Sequence, residues 1–200
     1  MPWREGLVHR SVFDEVYKFC GWNKLHDLLE DCPTNETRLI VLTLFKTGAR
    51  ISECLTVERR QVDLEGEWVN VHRLPVLKYK TKNKVFRDVV FPIDEPLTDV
   101  WFSLMPGDGK FFRYKYDKYY KDICRLQVPE GQKRGPWFPH AFRSLRARQL
   151  MEEYGFGVTH LQKFFRMAST DTPVEYVKPH IQDLKMLMKK GVEQNGLPIH

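Results

Sequence analysis

The stretch LFKTGARISECL, Leu44 to Leu55, decides how this chain is read. An apolar helical run stops at Thr47-Gly48, Arg50 follows, and a helical pattern restarts at once with Ser52-Glu53. Gly48 is placed to cap the first helix, because the residue after a helix often takes a left-handed conformation that glycine tolerates best. A plain turn between two helices has no need of an arginine at its exit. Glu53 falls one turn after Arg50 on the same face, where a carboxylate orients a guanidinium as a supporting group.

Working outward, residues 11–19 read as a helix with Ser11 as its N-cap and an acid three residues on. Further helices are predicted over 23–30, 36–46 (capped by Asn35) and 51–57. The period then changes from helical to alternating. Residues 61–64, 68–76 and 85–91 are rich in Val, Trp and Phe, and the turns LEGE and the very basic KTKNK separate them. Helices return over 95–104, 115–127, 141–154, 158–166 and 179–190. The expected fold is mixed α/β and mainly α-helical, with a small three-stranded antiparallel sheet. Its single domain covers 11–190, between a lead-in (1–10) and a tail (191–200). The chain shows no internal repeat.

Two hundred residues with 42% apolar and 29% charged content suit one globular domain with a real core. A net charge of +6 favours a polyanionic partner or a solvated basic surface. Cys20, Cys32, Cys54 and Cys124 lack CxxC spacing, which reads as a reduced protein without a disulfide framework. Cys20, His26 and Cys32 match no common zinc-ligand spacing, so no metal site and no cofactor are expected. No run approaches the ~18 apolar residues of a membrane span, and no signal peptide is visible. A cytoplasmic location is therefore expected.

Laying charge over this outline gives a set with a chemical purpose. Arg50 follows the glycine turn. Lys80 and Lys82 lie at the tip of a hairpin. His140 and Arg143, in PHAFRSLR, share a face at the start of a helix. Tyr176 lies in STDTPVEYVK. Two arginines clamp phosphate oxygens with fixed donors. A lysine protonates a leaving oxygen, and a histidine shuttles a proton near neutrality. A tyrosine attacks phosphorus once neighbouring cations favour its phenolate. The aromatic and lysine mixture FFRYKYDKYYKD is either an amphipathic helix, with Tyr116, Tyr119, Tyr120 and Ile123 partly in the core, or a surface for stacking on bases.

These motifs resemble the catalytic domain of tyrosine recombinases, the phage- and Xer-type integrases. TGARISECL resembles the family's TGxRxSEL box, PHAFR its HxLR box, and TPVEY the segment that carries the nucleophile. The likeness covers nearly the whole of 11–190. It implies Arg50, Lys80, His140, Arg143 and Tyr176 as catalytic residues, with Lys82 as the alternative lysine and Lys84, Arg146 and Arg148 as DNA contacts. The sequence departs from the family at Met167, where a His or Trp usually stands nine residues before the tyrosine. A thioether donates no hydrogen bond, so either that donor is missing or Arg166, Lys163 or His160 supplies it. Ser144 replaces the second His that often follows the second arginine. The family's N-terminal helical domain is expected to be absent from this chain.

The implied activity is site-specific cutting and rejoining of double-stranded DNA through a 3′-phosphotyrosyl link. It needs neither metal nor ATP, and it runs in a homo-tetramer on DNA formed from a monomer or weak oligomer. Alternatives are a type IB topoisomerase-like enzyme and a DNA-binding relative that has lost activity. An RNA-binding domain has little support, since no RNP-like or KH-like motif is present.

Overall fold

The computed structural model describes residues 21–76 and 85–167. In chain order it has helices α1 (Trp22–Glu30), α2 (Asn35–Thr47) and α3 (Ile51–Cys54), then a 3-10 turn (Arg59–Gln61). Strands β1 (Val62–Glu65), β2 (Trp68–Val76) and β3 (Val85–Pro92) come next, then α4 (Thr98–Leu104), α5 (Tyr116–Cys124), α6 (Pro139–Glu152) and α7 (Val158–Phe165). The sheet is antiparallel with order β1-β2-β3. This is the mainly helical fold with a three-stranded antiparallel sheet that the sequence predicts. The expected helices over 11–19 and 179–190 and the KTKNK hairpin tip lie outside the described residues.

Two helices form the centre. In α2, Leu39 to Thr47 are all buried, as the absence of a polar stripe requires. Its N-cap is Thr34 and not Asn35, because the Thr34 hydroxyl accepts the Thr37 N–H at 3.1 Å. Against α2 packs α6, buried from Ala141 to Leu150 although it carries three arginines. Leu25, Leu28, Ile40, Phe45, Trp101 and Phe142 join Val69, Val71 and Phe91 of the sheet in one core. Burying a side chain of this size removes apolar surface worth about 1.5–3 kcal/mol.

The strands alternate. Val69 and Val71 of β2 and Val89 and Phe91 of β3 face the core, while Trp68 and Val90 are exposed. Arg87 shares the inward face of β3 with Val89 and Phe91. A register irregularity between Val71 and Leu74 puts Arg73 at φ 52, and its N–H donates to Asp88 at 2.8 Å.

Four helices differ in extent from the expectation by two residues or more. α3 stops at Cys54 and not at 57, with Leu55 as its C-cap. α4 begins at Thr98 and not near 95, because Leu97 is left-handed and the Pro96 carbonyl accepts from Lys46. α5 ends at Cys124, whose carbonyl takes the Gly135 N–H at 2.7 Å. Its amphipathic pattern buries Tyr119 and Ile123 and half-buries Tyr120, as the packing reading of the FFRYKYDKYYKD stretch expects, but Tyr116 is exposed and stacks on Tyr120 from outside the core. α6 begins at Pro139, whose missing N–H is harmless in a first turn. Among the described residues no helix is long and apolar enough to cross a membrane.

Candidate active site

The end of α2 builds one half of the site. Gly48 caps the helix at φ 60, and a Cβ there would sit 2.3 Å from the Phe165 ring. Both the backbone and the close approach therefore call for glycine. The turn delivers Arg50 as the N-cap of α3. Glu53 has a buried carboxylate that accepts the Arg50 main-chain N–H at 3.0 Å and its guanidinium at 2.9 Å. One carboxylate thus fixes both the helix start and the arginine, whose side chain stays 42% exposed.

The first turn of α6 builds the other half. Arg143 is buried, and its Nη1 donates to the Gly48 carbonyl at 2.6 Å. Its Nη2 donates to the Phe165 carbonyl at 3.3 Å, and the guanidinium lies 4.3 Å from the centre of the Phe165 ring. His140, one turn earlier, keeps solvent access. Desolvation, then the charges of Arg143 and Arg50, lower its pKa to about 4. The imidazole is therefore neutral near pH 7, held so by partial desolvation of an otherwise solvent-accessible ring and by the neighbouring cations Arg143 and Arg50.

A third guanidinium completes the group, and the sequence patterns above do not single it out. Arg87 of β3 is buried and donates to the Thr47 carbonyl at 2.9 Å and to the Phe164 carbonyl at 2.8 Å. Burial lowers its pKa to about 9; Arg143 and Arg50 add to the fall and Glu53 opposes it. It stays charged at neutral pH. The signal was present: the alternation VFRDVVF places Arg87 on the same side as Val89 and Phe91, and a cation on a strand's core face must find acceptors.

The remaining candidates are placed differently. Arg146 is not at a DNA-facing surface. It is fully buried and ion-paired with Glu95, with a second hydrogen bond to Gln149. Glu95 also accepts from Lys46 at 3.0 Å, Gln149 at 2.9 Å and Tyr154 at 3.2 Å. Arg148 is likewise buried, at 8% exposure. Both were expected as DNA contacts; α6 turns them inward because it is a core helix and not a surface one. Met167 is partly buried against the apolar cluster of Ala147, Leu150, Leu161 and Phe165. Of the expected substitutes, Arg166 is exposed and left-handed at φ 50, and Lys163 is exposed. His160 accepts the Gly157 N–H at 3.2 Å. Lys80, Lys82, Lys84 and Tyr176 lie outside the described residues. The described side chains close enough to share a cation are His26, Asp27 and Glu30, exposed on α1. The described cysteines, Cys32, Cys54 and Cys124, are buried free thiols.

The mainly helical domain with its small antiparallel sheet has the fold of solved site-specific recombinases and integrases. The resemblance read from the motifs holds along most of the chain: the sequence is 29% identical over 176 residues to the tyrosine recombinase XerA of Saccharolobus solfataricus, covering 86% of this chain. The chain spans 56% of that relative's length. No family model matches the sequence. Among solved structures, the XerH site-specific recombinase in a post-cleavage complex with its palindromic difH substrate superposes with a TM-score of 0.61 at 20% identity, over 84% of this chain and 51% of that one. The catalytic domain of bacteriophage HP1 integrase superposes with a TM-score of 0.53 at 22% identity, over 90% of this chain and 99% of that one.

Proposed function

We propose that this chain is the catalytic part of a site-specific DNA recombinase. The observation that carries the reading is the convergence of Arg50, His140 and Arg143. They come from two distant parts of the chain, and Arg143 is tied to the turn that presents Arg50. An excess of fixed positive charge beside a neutral histidine suits a phosphodiester whose charge grows in the transition state. The likeness to a tyrosine recombinase adds support.

In this mechanism the Tyr176 oxygen attacks the scissile phosphorus as its proton passes to neutral His140 or to water. The bond from phosphorus to the 5′-oxygen breaks, and Lys80 or Lys82 protonates that oxygen. Arg50 and Arg143 hold the non-bridging oxygens, and Glu53 fixes Arg50. His140, neutral in the free protein, accepts a proton or donates a hydrogen bond to the phosphate. The phosphotyrosyl bond conserves the energy of the one it replaces, so neither ATP nor metal is required. A 5′-hydroxyl from a second duplex then attacks phosphorus and releases Tyr176. Exchange between duplexes calls for a tetramer on DNA, in the cytoplasm.

Met167 motivates a second reading, a DNA-binding relative without activity, because its thioether packs against apolar neighbours where a donor is needed. A pool of nicked suicide duplexes, incubated with the protein in EDTA, separates the two. An SDS-stable adduct that vanishes in Tyr176→Phe is the expected result. Salt-dependent binding with no adduct on an established target site supports the inactive relative. An adduct that persists in the variant assigns the nucleophile elsewhere.

A further inference from the structure

Arg87 and Arg143 make the same connection twice. Arg87 joins the carbonyls of Thr47 and Phe164, and Arg143 joins those of Gly48 and Phe165. Two consecutive carbonyls at the end of α2 are thereby tied to two consecutive carbonyls at the end of α7. Each is an acceptor that its own helix leaves open, and both helix ends carry the negative pole that attracts cations. The rings reinforce the join. Arg87 lies over Phe164 at 5.6 Å and Arg143 over Phe165 at 4.3 Å, while Phe165 closes on Gly48.

The residues next in sequence after each carbonyl pair give the join its meaning. Ala49 and Arg50 come after the first. Arg166, Met167 and the chain that leads to Tyr176 come after the second. The two arginines are not equivalent, however. Arg143 is shared between this join and the proposed phosphate contact. Both are buried with their terminal nitrogens on carbonyls, but Arg87 enters from the core face of β3 while Arg143 enters from the start of α6 beside His140, so their roles are separated by the element that carries them.

We propose that Arg87 is a positioning residue: it holds the end of α7 against the turn before Arg50, so that Arg50 and Arg166-Met167 keep their spacing while Arg143 takes up phosphate. This rests on the recombinase reading. A guanidinium is the suited group because its rigid fork reaches two acceptors at once, whereas a lysine ammonium reaches them from a single point.

The test has two arms, run on the whole chain as parent, Arg87→Lys and Arg87→Met. Hydrogen exchange reads the join directly and needs no DNA. In Arg87→Met the amides of 47–51 and 164–167 are expected to exchange about tenfold faster, those around Glu95 are expected to be unchanged, and Arg87→Lys is expected to fall between. Unchanged exchange at both segments overturns the proposal. The second arm compares adduct formation with non-covalent retention on the same pool of nicked duplexes. Adduct formation is expected to fall about 100-fold in Arg87→Met, with retention within about twofold and partial rescue by lysine. A parallel fall in retention overturns the proposal and makes Arg87 a phosphate contact. A parent that forms no adduct counts against the recombinase reading, and the exchange arm still decides whether Arg87 makes the join.

Discussion

Lys46 and Arg50 are four residues apart, yet the clusters they belong to are held in opposite ways. Lys46 is fully buried, and its three donors go to Glu95, Pro96 and Thr98. Arg146 meets the same Glu95 from α6. Desolvation lowers Lys46 to about 8, against the pull of Glu95. Burial alone would raise Glu95, but Arg146 and Lys46 outweigh it and hold its carboxyl below the usual range. On the other side of the α2 terminus, Arg87 and Arg143 are held by main-chain carbonyls, and the carboxylate beside them, Glu53, is bonded to Arg50. The first cluster is bound by charge and belongs to the fold. In the second, Glu53 pairs with Arg50 alone, and Arg87 and Arg143 are satisfied by dipoles, which hold a cation in place without neutralising it. Positive charge kept in that way remains available to a phosphate.

The comparison breaks most visibly at Glu95. Glu95→Gln is expected to destabilise the fold by about 3–5 kcal/mol in denaturant titration, since it strands two buried cations. A loss below ~1 kcal/mol would mean that the first cluster is no more structural than the second. Next comes Gly48→Ala, which puts a Cβ into the Phe165 ring at a left-handed position. Its expected cost is about 2 kcal/mol, read as a lowered melting temperature. Arg50→Ala sharpens the contrast from the other side. It leaves the buried Glu53 carboxylate with the main-chain N–H of residue 50 but without its guanidinium, at an expected cost of about 1–2 kcal/mol of stability, while adduct formation on nicked duplexes falls about 100- to 1000-fold. Equal losses in both would erase the distinction between the clusters.

The smallest effect is in pH dependence. Unfolded, His140 takes a proton at about pH 6.5; folded, it does so only at about 4. Between those values the unfolded chain binds more protons, so stability falls as the pH drops through the window. His140→Gln is expected to flatten that part of the slope. An unchanged slope would show that neither desolvation nor Arg143 and Arg50 hold the ring neutral.

Local pattern determined much of this protein. The glycine turn at 48, the strand alternation, the helical runs and the paired placement of His140 and Arg143 are properties of neighbouring residues, and periods of 3.6 and 2 make them visible in one dimension. The position of Arg50 beside Glu53 is of the same kind. Tertiary structure alone decided the rest. Arg146 and Arg148 read as DNA contacts because arginine usually faces solvent, but α6 is enclosed by α2 and its neighbours, and Glu95, 51 residues away in sequence, supplies the charge that Arg146 needs. Arg87 waited on carbonyls 40 and 77 residues away. A buried cation is defined by the acceptors that the fold brings to it, and no local pattern contains them.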